Sequence, residues 1–209
     1  MRRALALLLV LACPAAFAAA VEGRDYALVN PAQPTADPTK IVVIEFFSYQ
    51  CPHCYRFSKP FAAWTKTLGA DVKVERVAVS IGHEEWVPAA QAYYALVAMN
   101  ALDQADDALF AAIHEKHARL DTEAALTDWA GHAGLDQAEF QRLYRSFSVG
   151  VQTRRADTLS RQHLVTGIPA LVIDGKYMIS VSDDGDFSDQ LKVADELVAK
   201  VRKTPRKAP

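Results

Sequence analysis

The stretch IVVIEFFSYQCPHCYRF, residues 41 to 57, decides the fold. Its first seven residues are β-branched or aromatic apart from Glu45, and too continuously apolar to alternate. Such a run predicts a strand covered on both faces, and therefore a central one. Pro52 lacks an N–H and has its φ fixed, which suits the first turn of a helix with Cys51 as its N-cap. Cys54, Phe57, Phe61, Trp64 and Leu68 then recur at three- and four-residue steps, so one helix face is apolar and Cys54 leads it. Cys51 is expected at the exposed end of that helix, and Pro60 predicts a kink near its middle.

This placement makes the two thiols unequal. Unpaired N–H groups and the positive end of the helix dipole stabilise a thiolate at Cys51 far more than at Cys54, and His53 between them adds a donor or a charge. Cys51 is thus the expected nucleophile and leaving group, and Cys54 the resolving thiol. Other uses of the pair fail on ligand count and position. Structural zinc needs four ligands, usually two such pairs, and the chain has only three cysteines, one of them in its leader. Covalent haem attachment needs His after the second cysteine, where Tyr55 stands. A structural disulfide across two residues closes a loop too small to stabilise much. No metal is expected.

Outward from this stretch, VKVERVAV, residues 72 to 79, alternates as a second strand. From Pro88 to about Leu164 the sequence is Ala-rich, glycine-poor and helically periodic, which predicts four or five helices, the first of them through PAAQAYYALVAMNALDQ. Thr122 and Asp136 are expected caps, and Gly134 an expected helix end. Strand signals return in ALVIDGKYMIS, with Asp174-Gly175 as a two-residue turn between Ile173 and Lys176, and a last helix runs from about Phe187 to Arg202. Strands on both sides of a helical block imply one α/β domain carrying an insertion.

Residues 1–20 read as a secretory signal: Arg2 and Arg3, the apolar ALALLLVLA, then a small-residue run. Cleavage is expected near Ala18 to Ala20; Pro14 makes Cys13 a poor lipidation site, so a lipoprotein is the minor alternative. No later segment reaches the roughly 18 apolar residues of a membrane span. Losing residues 1–20 removes two arginines and no acids, moving the formal charge from −2 to −4. That balance argues against nucleic acid as a partner. The basic end KVRKTPRKAP reads as a solvated terminus.

CPHC after an apolar strand, TGIPALVIDGKY near the C-terminus, a helical block between them and a signal peptide together resemble the DsbA family of periplasmic thiol:disulfide interchange proteins, in the thioredoxin superfamily. The resemblance covers essentially residues 22 to 202. It implies a thioredoxin fold with an inserted all-helical subdomain: residues 21–87 as its first part, 88–164 as the insertion, 165–202 as its second part with a cis Pro169, and 203–209 as a flexible tail. It further implies catalytic Cys51, Pro52, His53 and Cys54, substrate contact at Ile168 and Pro169, and no cofactor beyond the Cys51-Cys54 disulfide. That disulfide would be donated to reduced, unfolded secreted proteins and restored by a quinone-linked membrane oxidase of the DsbB type. A monomer is expected, since isomerase relatives carry an N-terminal dimerisation domain and only about twenty residues separate the signal from the first core strand here. A disulfide isomerase or thiol reductant of the same fold is the alternative activity, and a peptide-binding chaperone a third that would need no thiols.

Glu45 shares a strand face with Val43 and Phe47, which predicts burial. In the family an acid matching Glu45 and a base matching Arg76 lie under the cysteines and relay protons or tune the thiols. That base is often lysine; arginine does not deprotonate, which counts against a relay role for Arg76. His114 and His117, in HEKH, are one residue short of zinc-binding HExxH spacing and are expected on a solvated helix face.

Overall fold

In the computed structural model, which describes residues 19–181 and 187–204, the strands β1 (Ala27–Leu28), β2 (Ile41–Phe47), β3 (Val72–Ala78), β4 (Ala170–Ile173) and β5 (Tyr177–Ser180) form one sheet in the order β1-β5-β4-β2-β3. Residues 1–18 of the secretory signal, Cys13 among them, and residues 205–209 of the basic end lie outside the described residues. β2 pairs parallel with β3 and antiparallel with β4. A parallel pair needs a crossover, and α1 (Pro52–Thr65) supplies it.

Every residue of β2 is buried because both sheet faces are covered. Ile41 and Val43 pack with Phe57, Phe61 and Trp64 of α1 and with Leu197, Val198 and Val201 of α7 (Ser188–Arg202). Val42, Ile44 and Phe46 pack on the other side, in the core shared with the helical block. That block comprises α2 (Val87–Ala98), α3 (Leu102–His114), α4 (Glu123–His132), α5 (Gln137–Tyr144) and α6 (Phe147–Gln162). Thr122 and Asp136 cap α4 and α5 through their side-chain oxygens, and Gly134 between them has φ 79°. Sheet strands therefore come from both sides of the block in sequence.

Three local readings need correction, and one strand went unread. Leu68 is not on α1: the helix ends at Thr65, Thr67 folds back to donate its N–H to the Trp64 carbonyl, and Leu68 reaches the core from the following turn. The run through MNALDQ is two helices, broken where Asn100 takes φ 55°, a conformation asparagine tolerates better than most residues. Asp174 and Gly175 both have positive φ and the Lys176 N–H bonds the Ile173 carbonyl, yet the ladder pairs Ile173 with Tyr177. Lys176 is thus an extra residue, and its carbonyl accepts from the Val29 N–H. Gly175 is required there, since a Cβ would lie 2.1 Å from the Gln33 carbonyl oxygen. Finally, β1 carried no sequence signal: two residues long and exposed, it forms the sheet edge against β5.

Candidate active site

Cys51 is the N-cap of α1, with extended backbone (φ −86°, ψ 118°), and its Sγ accepts the Cys54 N–H at 3.4 Å. Here an extended strand becomes a helix, because Pro52 opens the first turn and the stripe from Cys54 to Trp64 buries against the sheet. The structure holds both cysteines as free thiols. Cys51 is not at an open end, contrary to the sequence reading. It is 3% exposed, because the loop before β4 folds over the helix terminus and places the Ile168 carbonyl oxygen 3.6 Å from its sulfur. Pro52 and His53 form the exposed rim. The Ile168–Pro169 peptide bond is cis, as the resemblance implied.

The two sulfurs differ as the helix terminus requires. The Cys54 thiol donating to Cys51 brings the Cys51 pKa down to about 6; burial opposes this, and the backbone N–H groups of Cys54 and His53 and the charge of His53 add to it. Cys54 is pushed well above the usual thiol range, first by burial, then by its hydrogen bond to Cys51 and the adjacent Cys51 charge, with Glu45 adding a further negative charge. His53 Nδ1 lies 3.1 Å from a guanidinium nitrogen of Arg56. A guanidinium only donates, so Nδ1 is the acceptor in that contact, which the neutral imidazole makes and the charged one gives up.

Glu45 is 1% exposed, facing the same side of β2 as Val43. Arg76, opposite it on β3, donates Nε–H to Glu45 Oε2 at 2.6 Å and a second N–H to Asp106 Oδ2 at 2.7 Å, with its guanidinium carbon 4.1 Å from the Phe47 ring centroid. The Tyr49 hydroxyl donates to the other Asp106 oxygen. Glu45 Oε1 is buried without a hydrogen-bond partner among the described residues. Burial raises the Glu45 pKa, Arg76 lowers it, and Asp106 raises it again.

Asp106, Tyr49 and His114 escaped sequence reasoning. Asp106 left one signal: an acid on the α3 face that also carries Leu102, Leu109 and Phe110. His114 does not lie on a solvated face. Its Nε2 donates to the Tyr49 carbonyl at 2.7 Å and its ring stacks on Tyr55 at 4.9 Å, because α3 packs against α1. His117 is exposed. Among the described residues no three His, Cys, Asp or Glu side chains form a metal-ligating group. A recess of about 560 Å³ between α1 and the start of α7 is lined by Tyr55, Arg56, Lys59, Pro60, Phe187 and Leu191.

A family model described as the DSBA-like thioredoxin domain matches residues 42–192. The chain is 34% identical over 185 residues to the thiol:disulfide interchange protein DsbA of Pseudomonas aeruginosa, covering 88% of this chain and 87% of that one. It is 36% identical over 197 residues to the protein of that name from Bordetella parapertussis, covering 92% and 93%. The crystal structure of Pseudomonas aeruginosa DsbA matches with TM-score 0.83 at 33% identity, over 88% of this chain and 95% of that one. DsbA from Xylella fastidiosa matches with TM-score 0.81 at 29% identity, over 88% and 99%.

Proposed function

The chain belongs to the DSBA-like thioredoxin family, and from that membership we infer a thiol:disulfide oxidoreductase that donates the Cys51-Cys54 disulfide to proteins during oxidative folding. The redox carrier is the cysteine pair itself. The observation that carries the residue roles is the asymmetry between the two sulfurs, one at about pKa 6 and the other well above the usual thiol range. A substrate thiolate attacks Cys51, the electron pair of the S–S bond goes to Cys54, and a mixed disulfide forms. A second substrate thiolate attacks the substrate sulfur and expels Cys51, which leaves readily as a stabilised thiolate. Stabilising that thiolate favours the reduced enzyme, and so makes the disulfide a stronger oxidant.

Cys54 is the poorer leaving group, so it needs a proton as the first bond breaks. We assign that proton to Glu45, a buried acid whose pKa is raised and whose charge is felt at Cys54. Arg76 serves as a fixed charge beside it. His53 and Pro52 shape the approach to Cys51, and Ile168 and Pro169 line the other side. The segments assigned to the fold are the signal 1–20, the thioredoxin parts 21–87 and 165–202, the helical insertion 88–164 and the tail 203–209; strands flanking the helical block support this division.

The signal-like leader supports a periplasmic enzyme acting on reduced secreted proteins. Its re-oxidant is a quinone-linked membrane oxidase of the DsbB type, docking beside the disulfide in a groove near Pro169. Alkylation trapping in periplasmic extract tests the direction of flow: mostly disulfide supports the oxidase, and mostly dithiol supports an isomerase or reductant. Reduced purified protein should regain catalysis when mixed with membranes carrying the oxidase. Turnover that needs only glutathione disulfide would remove the membrane partner.

A further inference from the structure

The acid-base group beneath the cysteines extends into the helical block, and nothing in the oxidase chemistry yet accounts for that. Arg76 is shared: one nitrogen holds Glu45 Oε2 at 2.6 Å, another holds Asp106 Oδ2 at 2.7 Å. A buried carboxylate paired with an arginine alone would remain ionised, since arginine keeps its proton at any working pH. An anionic Glu45 has no proton for Cys54. Asp106 alters that balance, because it is a second carboxylate on the same guanidinium, and the Tyr49 hydroxyl donates to its other oxygen. Glu45 also keeps one oxygen, Oε1, with no partner among the described residues, so that oxygen is not committed to Arg76.

We propose that Asp106, from α3, is a positioning residue of the cysteine chemistry: by taking one end of Arg76 it keeps that arginine from holding Glu45 as a permanent anion, so Glu45 retains a proton for Cys54. The inference rests on the oxidase reading and on Glu45 as the acid. The step balances. The substrate thiolate bonds to Cys51 Sγ, the Cys51–Cys54 electron pair goes to Cys54, and the Glu45 proton follows it. The Glu45 carboxylate is then re-protonated from water reaching the recess of about 160 Å³ that borders Arg76, Asp106, Ser58, Thr65 and Val74. The titratable groups around Glu45 are Cys54 on α1, Arg76 on β3, Tyr93 on α2 and Asp106 on α3, with Tyr49 bonded to Asp106. Of these, Asp106 opposes ionisation of Glu45 across the shared arginine.

Stopped-flow mixing of the oxidised protein with reduced glutathione, with rates expressed per glutathione thiolate, tests this from pH 4 to 9. The wild-type rate should fall as pH rises through the Glu45 titration. Asp106→Asn should move that fall to lower pH by about one unit, Asp106→Glu should restore it, and Asp106→Ser, which removes the carboxylate with less crowding, should behave as Asp106→Asn. Glu45→Gln should flatten the profile, and adding Asp106→Asn to it should then change nothing. Superimposable profiles for wild type, Asp106→Asn and Asp106→Ser, with Glu45→Gln flat, overturn the role of Asp106 while leaving Glu45 as the acid. A wild-type profile in Glu45→Gln removes the Glu45 assignment and this inference with it.

Discussion

Cys51 Sγ lies 3.6 Å from the carbonyl oxygen of Ile168, a group that can only accept. That contact favours the thiol, whereas the Cys54 N–H at 3.4 Å favours the thiolate. With the Cys54 thiol and the His53 N–H on the donor side the thiolate wins, and the Cys51 pKa falls to about 6. The carbonyl therefore gains nothing from the ionised enzyme and is left open as an acceptor beside the reacting sulfur.

A depressed thiol pKa ties the stability of the reduced form to pH. Unfolded cysteine ionises near pH ~8.5 and folded Cys51 near 6, so the unfolded chain binds more protons between those values. The stabilisation is present above about pH 8.5 and is lost as pH falls through about 6. The disulfide form has no such thiol. Paired thermal melts should show the reduced form losing ground to the oxidised form between pH 8.5 and 5, bounds set roughly by those two pKa values. A gap independent of pH would mean that Cys51 is not depressed in solution.

Cys51→Ser should abolish oxidation of a reduced test protein, because Cys54 is fully buried and cannot replace it as nucleophile. Cys54→Ser should instead accumulate mixed disulfides, visible as adducts on non-reducing gels, since no internal thiol remains to release them. Wild-type refolding activity in either variant would end the assignment.

His114→Ala should destabilise without touching the thiols directly. It leaves the Tyr49 carbonyl without its 2.7 Å donor and Tyr55 without its stacking partner. An unpaired buried acceptor costs about 1–3 kcal/mol, and each kcal/mol lowers Tm by about 2–4 °C for a chain of this size. Thermal melts of the oxidised variant check this. An unchanged Tm would show that the α1–α3 seam holds without the histidine.

The parts of this fold that were legible in sequence are those set by local pattern. The seven apolar residues of β2, Pro52 after Cys51, and the caps at Thr122 and Asp136 each act within a few residues of themselves. What escaped depends on elements far apart in the chain. Cys51 is covered by a loop 117 residues away, and Tyr49 meets Asp106 across 57 residues. HEKH looked solvated because the helical period says nothing about which helix packs on which, and His114 turned out to face Tyr55. β1 is held by pairing with β5, and its two residues have no pattern of their own. The burial of Glu45 was readable, but its arginine's second carboxylate was not.

His53→Ala tests how the Cys51 thiolate is stabilised. The Cys54 thiol comes first among the stabilising groups, then the backbone N–H groups of Cys54 and His53, and the His53 charge last. Alanine keeps the backbone donors and removes only the side chain, which also contacts Arg56 through Nδ1. The Cys51 pKa should therefore rise, by less than the helix terminus contributes, and the disulfide should become less oxidising in step. One pKa unit is about 1.4 kcal/mol, and for a two-electron couple that is about 30 mV, so a shift of half a unit is still measurable. Thiolate absorbance near 240 nm, roughly the usual wavelength for such ions, gives the pKa, and equilibration against glutathione gives the potential. A pKa that rises while the potential stays fixed would break the link between thiolate stability and oxidising power; neither moving would leave His53 to substrate contact alone.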